Sequence, residues 1–97
     1  MNTVEKSVIF SGHALTRMFE RSLSKEQVIE AIKTGTIIER YPDDYPLPSA
    51  LSLAFVDDVP IHVVYATDSV RARTIVVTVY IPDPARWSPT FDKRLYQ

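Results

Sequence analysis

The chain lacks cysteine altogether and has only two glycines, Gly12 and Gly35, among its 97 residues. Without cysteine it can form no disulfide, use no thiolate nucleophile and build no Cys-type zinc site. Two glycines are too few for a glycine-rich phosphate-binding loop, and no nucleophile-elbow motif occurs. These absences exclude several classes of enzyme and are compatible with a reducing compartment.

Long apolar runs and a surplus of one charge are also missing. No run approaches the roughly 18 apolar residues of a membrane-spanning helix. The first ten residues lack a signal-peptide layout, so we expect a cytoplasmic protein without a membrane partner. The net charge is −1, but residues 26–68 carry eight acidic against two basic side chains, and residues 71–97 carry five basic against two acidic ones. A nearly neutral chain of this kind can still have a basic face.

Capping residues and apolar periodicity predict two helices near the N-terminus. Val8–Phe10 is typical of a short strand or an extended lead-in, and Ser11 is a candidate N-cap for the first helix. Ser24 caps the second helix with Gln27 as its capping-box partner, and Gly35 is a C-terminal stop. The apolar positions of the two helices are Ala14, Leu15, Met18 and Phe19, then Val28, Ile29 and Ile32.

The rest of the chain predicts strands joined by short loops. We expect these strands at residues 36–41, 50–56, 61–67 and 74–81. The last strand alternates, with Ile75, Val77, Val79 and Ile81 on one face and Thr74, Val76, Thr78 and Tyr80 on the other. Trp87 is expected to dock the irregular tail on the core. The order predicts one α+β domain over residues 1–97, with two N-terminal helices packed on a mostly antiparallel sheet of about four strands.

Three basic side chains, His13, Arg17 and Arg21, recur at four-residue intervals in the first helix. At about 100° per residue this spacing stacks them along one side, drifting by about 40° per step. The row runs beside the apolar stripe, so we expect it at the rim of the core. Arginine binds phosphate in two places, and histidine transfers protons near neutral pH. A solvated basic stripe with a capping histidine is the alternative interpretation.

His62 is the second of the two histidines and lies in an otherwise apolar strand. A lone strand histidine is most often structural, but with His13 it would complete an acid–base pair. Thr78 and Tyr80 share a face of the last strand, where their hydroxyls can bind a phosphate oxygen or orient a histidine. The register decides whether His62 faces one of these hydroxyls or Val79, and the sequence leaves this open.

No local metal-ligand pair such as H-x3-H occurs, so we expect no metal and no other cofactor. A site made by His13 and His62 with a carboxylate is the remaining possibility, and would make the protein a metal-dependent hydrolase. Arg71 and Arg73 open the basic C-terminal part of the chain. They are further candidates for binding a nucleic-acid substrate.

Several segments together resemble a bacterial family, the domain of unknown function numbered 4258. They are residues 13–21, residues 24–35, the proline-rich loop ending at Pro48-Ser49, residues 61–64, and residues 78–83 with Trp87. The H-x3-R-M-x2-R opening and the T-V-Y-x-P ending are fairly specific in combination. That family looks like a branch of the RelE/ParE toxin superfamily, so the resemblance implies a small RelE-like α+β fold.

The resemblance also implies a function. Relatives in the superfamily cleave RNA and are neutralised by an antitoxin, and members of the family are similar to toxins encoded beside antitoxins with a small zinc-finger domain. The implied partners are therefore RNA, a cognate antitoxin and, for ribosome-directed cleavage, the ribosome. The superfamily also includes gyrase poisons that are not nucleases. A non-catalytic protein-binding toxin or regulatory domain, which would use the arginine row and the 86–94 tail as its interface, is therefore the alternative.

The hypothesis that follows is a metal-independent endoribonuclease. A general base takes the proton of a ribose 2′-OH, which attacks the adjacent phosphorus, and a general acid protonates the leaving 5′-oxygen. Arginines hold the charge that develops on the phosphorus oxygens. The acid and base roles of the two histidines are left unassigned. The candidate catalytic residues are His13, Arg17, Arg21, His62 and Tyr80, and the candidate substrate-binding residues are Thr78, Arg71 and Arg73.

Overall fold

The structure is a computed structural model that describes residues 7–96. The expectation about a signal-peptide layout concerns mainly residues 1–6 and lies outside the described residues. The elements are β1 (Val8–Phe10), α1 (Gly12–Glu20), α2 (Lys25–Thr34), β2 (Thr36–Tyr41), β3 (Ser49–Val56), β4 (Val59–Asp68) and β5 (Arg73–Tyr80). The predicted α+β class is therefore confirmed. Within residues 7–96, neither helix has the length and apolarity needed to cross a membrane.

The strands form one mixed sheet in the order β1-β5-β4-β3-β2. Strands β2 to β5 make the predicted antiparallel meander, and a two-residue turn at Asp57-Asp58 with positive φ joins β3 to β4. Of the two interpretations of Val8–Phe10, the short strand is the one that forms. The sheet therefore has five strands rather than about four, because β1 pairs in parallel with residues 74–76 of β5. Three apolar residues have no period that could reveal such a distant partner.

Both helices begin where their caps predict. The Ser11 hydroxyl accepts a hydrogen bond from the backbone N–H of Ala14 at 3.0 Å, and Ser24 forms a complete capping box with Gln27. Gly35 does end α2, but not in the left-handed conformation expected of a C′ glycine, since its φ is −77° and its ψ is 172°. Because Gly35 has no side chain, the end of α2 can lie close to β3. A Cβ there would lie 2.6 Å from the carbonyl oxygen of Ala31 and 2.8 Å from that of Leu53.

The helices pack on one face of the sheet, α1 mainly on β5 and α2 mainly on β3. The shared core consists of Ala14, Met18, Val28, Ala31, Ala54, Ile61, Val63, Val76 and Val79. Half of the apolar positions of α1 lie outside the core, because Leu15 and Phe19 are 40% and 86% exposed. A short helix lying over a single strand buries only a narrow stripe, here Ala14 and Met18.

The predicted alternation along β5 is interrupted by a bulge. Val64 pairs with Thr78 and Tyr65 pairs with Val76, so Val77 is an extra residue in β5. Val76 and Val79 are consequently both in the core, although the simple alternation places them on opposite faces. Bulges of this kind redirect side chains and are frequent beside functional sites.

The tail, residues 82–96, covers the sheet face opposite the helices. His62 lies between the core residues Ile61 and Val63 and therefore points to that second face. Trp87 is buried there, with its ring centroid 4.4 Å from that of His62. The predicted docking of Trp87 is thus confirmed. Arg94, near the end of the tail, donates two hydrogen bonds to the Glu39 carboxylate of β2, at 2.8 and 3.0 Å.

Candidate functional site

The start of α1 is fixed to the bulge of β5 by one side chain. The Ser11 hydroxyl caps α1 and also donates a hydrogen bond to the carbonyl oxygen of Val77 at 2.8 Å. The backbone N–H of Ser11 donates to the carbonyl oxygen of Val76 at 3.0 Å. Because β1 ends at Phe10, opposite Val76, the edge of β5 beyond the bulge has no strand partner among the described residues. Helix α1 runs beside this open edge.

The basic row of α1 and the open edge of β5 line a single depression. It has a volume of about 350 Å³. Its lining residues are His13, Arg17, Arg21, Thr78, Val79 and Tyr80. Five of the eight sequence candidates therefore come together, and they do so across more than sixty residues of chain. The three basic side chains are exposed, so a ligand in the depression can reach them.

The basic row is only partly neutralised by the protein itself. Arg17 forms an ion pair with Glu20 at 3.2 Å, and both side chains are about half exposed. Surface pairs of this kind are weak, typically below about 1 kcal/mol, so an anion can compete for the guanidinium. Neither His13 nor Arg21 is among the ion pairs of the described residues. The depression thus offers phosphate two guanidiniums and an imidazole.

His62 does not line this depression. Its side chain has no exposed surface, and it packs edge-on against Trp87 and Tyr80. The Nε2 atom lies 2.8 Å from the carbonyl oxygen of Phe91, and Nδ1 lies 3.3 Å from the Tyr80 hydroxyl. Burial lowers its pKa, although the Phe91 carbonyl opposes this shift. The two histidines therefore do not converge on one open site.

Tyr80 connects the two regions. In the sheet, Tyr80 pairs with His62. Of the registers that the sequence left open, the structure therefore has the one in which His62 faces Tyr80. The half-buried side chain lines the depression, while its hydroxyl hydrogen-bonds to the buried imidazole. Burial raises the pKa of Tyr80, so its hydroxyl is protonated at neutral pH.

Arg71 and Arg73 lie at the other end of β5. Both guanidiniums contact Asp68 at 3.2 Å, and neither residue lines the depression. Thr78 lies five residues beyond Arg73, which corresponds to about 16 Å along a strand. The structure therefore separates these two candidates from the others.

The contacts that hold His62 involve residues that the sequence did not single out. Glu39 and Arg94 act electrostatically on its imidazole, and Phe91 provides the carbonyl that Nε2 contacts. Arg94 also lies over the Trp87 ring, 4.7 Å from its centroid. The tail and β2 are far apart in the chain, so no local spacing could have revealed this cluster. Within residues 7–96, no three His, Asp or Glu side chains are grouped as metal ligands would be.

The fold and the depression define a small α+β domain with a basic site between its first helix and last strand. Residues 10–81, about three-quarters of the chain, match the family model described as Domain of unknown function (DUF4258). The chain therefore belongs to that family, as its motifs predicted. The tail that covers His62 lies beyond the matched residues. No curated protein and no solved structure matches the chain.

Proposed function

We propose that this protein is a metal-independent endoribonuclease with a RelE-like fold, acting as the toxin of a toxin–antitoxin pair. The observation that supports this proposal is the convergence of His13, Arg17 and Arg21 with Thr78 and Tyr80 around one open depression. An RNA phosphodiester needs cationic donors for the phosphate and a proton-transfer group beside it, and this set of side chains offers both.

In the proposed reaction the phosphate lies between the two guanidiniums. Arg17 and Arg21 stabilise the charge that builds up on the non-bridging oxygens as the 2′-oxygen attacks phosphorus. Thr78 orients the same phosphate through its hydroxyl, and Tyr80 lies beside it in the lining of the depression. His13, exposed in the first turn of α1, donates a proton to the leaving 5′-oxygen.

The test compares the parent protein with Arg17→Ala and Arg21→Ala on RNA in the presence of EDTA. Loss of one charged donor from the transition state is expected to slow cleavage about 10²-fold or more. Arg40→Ala is the matched control, because Arg40 is exposed on β2, three strands or about 14 Å across the sheet from β5. It should cleave like the parent.

The assay has one arm with free RNA and one with a translating ribosome, since either form of substrate fits the proposal. If the RNA stays intact in both arms for the parent protein, the nuclease proposal is wrong. A cleavage rate that survives Arg17→Ala and Arg21→Ala would place the active site elsewhere. Activity that EDTA abolishes would favour a metal-dependent hydrolase.

The non-catalytic alternative has one observation in its favour. Phe19 is 86% exposed and Leu15 is 40% exposed on the flank of α1 away from the basic row. Exposed apolar side chains next to each other on a helix are suited to a protein partner, such as an antitoxin or a poisoned enzyme. Growth arrest with intact cellular RNA, abolished by Phe19→Ser but not by Arg17→Ala, would favour this second candidate.

A further inference from the structure

The buried histidine is satisfied by two partners of different chemistry. The carbonyl oxygen of Phe91, 2.8 Å from Nε2 of His62, can only accept a hydrogen bond. The hydroxyl of Tyr80, 3.3 Å from Nδ1, can donate or accept one. The neutral imidazole carries one N–H, and a hydrogen bond to the carbonyl oxygen requires that N–H. Nε2 is therefore the protonated nitrogen, and Nδ1 is left as an acceptor.

This tautomer fixes the direction of the hydrogen bond from Tyr80. Its phenolic proton points to Nδ1 of His62, away from any ligand in the depression. The phenolic oxygen keeps its capacity to accept a hydrogen bond, and Tyr80 is one of the residues that line the depression. A tyrosine held in this way can accept a proton from a ligand while it passes its own proton to the histidine.

We propose that Tyr80 is the general base of the cleavage reaction and that His62 is the positioning residue that receives the Tyr80 proton. This inference rests on the proposed function and adds to it the second proton-transfer group, which His13 alone does not provide. It also gives a role to a buried histidine that lies outside the depression and that RNA cannot touch.

The proposed reaction moves three protons and exchanges one oxygen substituent on phosphorus for another. The 2′-O–H bond breaks and its proton moves to the phenolic oxygen of Tyr80, while the phenolic proton moves to Nδ1 of His62. The 2′-oxygen forms a bond to phosphorus, and the bond from phosphorus to the 5′-oxygen breaks. His13 protonates the departing 5′-oxygen. The products are a 2′,3′-cyclic phosphate and a 5′-hydroxyl. His13 then regains a proton from solvent, and the extra proton on the buried His62 returns to solvent through Tyr80.

The surroundings of His62 provide a hydrogen-bond acceptor for each N–H of a transient imidazolium. Both N–H groups of the cation would have acceptors, the Phe91 carbonyl at Nε2 and the Tyr80 oxygen at Nδ1. Burial is the largest influence on the pKa of His62 and opposes the cation, as does Arg94, whereas the Phe91 carbonyl and the Glu39 carboxylate favour it. The imidazole is accordingly neutral at rest and receives a proton only as Tyr80 takes one, which is the behaviour that a relay needs.

The first experiment reads the resting tautomer directly, by nitrogen NMR of the imidazole in the full-length protein. We expect His62 to carry its proton on Nε2, and Tyr80→Phe to leave that tautomer unchanged while shifting the Nδ1 resonance. A proton on Nδ1 would overturn the relay, whether or not the protein cleaves RNA.

The second experiment is a double-mutant cycle on cleavage. His62→Gln keeps a donor for the Phe91 carbonyl but cannot take up a proton, and Tyr80→Phe removes the hydroxyl. Each is expected to lower kcat about 10²-fold with little change in KM, because general-base catalysis contributes roughly 10² or more. Groups that act as one unit are not additive, so the double variant should be no slower than the slower single variant.

Tyr41→Phe is the control for hydroxyl removal, since Tyr41 bonds to Glu39 and does not line the depression. It should leave kcat unchanged. Multiplicative effects of His62→Gln and Tyr80→Phe, with an active parent, would overturn the relay and leave the nuclease proposal standing. An inactive parent with the Nε2 tautomer would instead overturn the proposed function, and the relay with it.

Discussion

A single buried carboxylate holds the connection between β4 and β5. The Asp68 side chain is only 3% exposed, and it accepts hydrogen bonds from the backbone N–H of Arg71 at 3.1 Å and from two guanidiniums at 3.2 Å. The backbone bond is the main reason why the pKa of Asp68 lies below its ordinary value of 3.8. In the described structure, Arg71 and Arg73 both pair with this carboxylate.

At the residue scale this predicts a pH-dependent effect of Asp68→Asn. Because folding lowers the pKa of Asp68, its stabilising contribution is complete above 3.8 and is lost as the pH falls below that value. The variant should melt at a lower temperature than the parent at pH 7. This difference in melting temperature should be smaller at about pH 3. Thermal unfolding at several pH values measures it.

Asp58→Asn provides the control, since Asp58 is exposed in a turn with φ of 66°, which asparagine tolerates. Its melting temperature should stay close to that of the parent at both pH values. If the difference in melting temperature between the parent and Asp68→Asn stays constant down to acid pH, the carboxylate charge does not contribute to stability.

At the scale of elements, the two helices are positioned by different contacts. Helix α1 is attached to the β5 bulge by hydrogen bonds from Ser11, which aligns its basic row with the open edge of that strand. Helix α2 approaches β3 closely because Gly35 and Ala54 are small where the helix ends. The first set of contacts lies beside the depression, whereas the second brings the end of α2 against the sheet.

The two glycines form a matched pair that tests this difference. Gly35→Ala places a Cβ within 2.8 Å of two carbonyl oxygens, so the helix or strand must shift, at a cost of about 1–3 kcal/mol. Gly12→Ala meets nothing within 4 Å and lies in the first turn of α1. It should leave the free energy of unfolding unchanged or raise it by up to about 1 kcal/mol. Urea unfolding measures the free energy of unfolding of both variants. Equal changes in the two variants would contradict the close approach at Gly35.

At the scale of the whole molecule, the tail completes the second face of the sheet. It is held by the burial of Trp87, by the two bonds between Arg94 and Glu39, and by the hydrogen bond from His62 to Phe91. A chain of this size buries a thin core, so the burial of Trp87 is a sizeable part of its stability. The tail also shields from water the histidine that contacts Tyr80.

Trp87→Ala is accordingly expected to lower the free energy of unfolding by about 3–5 kcal/mol. If the variant remains folded, the pKa of His62 should rise towards its ordinary value of 6.5, because burial is the main cause of its lowering. An NMR titration of the imidazole measures this. Tyr96→Ala, in the same tail but 77% exposed, should change neither quantity. A His62 pKa that stays low without Trp87 would show that the tail does not control its environment.

The sequence by itself determined the features that depend on neighbouring residues. Ser11 and Ser24 cap helices through contacts three residues away, so both helix starts were predictable. The basic row of α1 follows from its four-residue spacing, and the meander follows from short loops between strands. The family followed from motifs that lie along the same segments.

Only the tertiary structure decided how distant segments meet. The parallel pairing of β1, the bulge at Val77 and the burial of His62 under Trp87 join residues that are many positions apart. Local propensity carries no information about such contacts, because they depend on which surfaces remain unpaired once the helices and strands have formed. The tertiary structure therefore gathered Tyr80 and the basic row into one depression, and it placed His62 behind Tyr80 instead of beside His13.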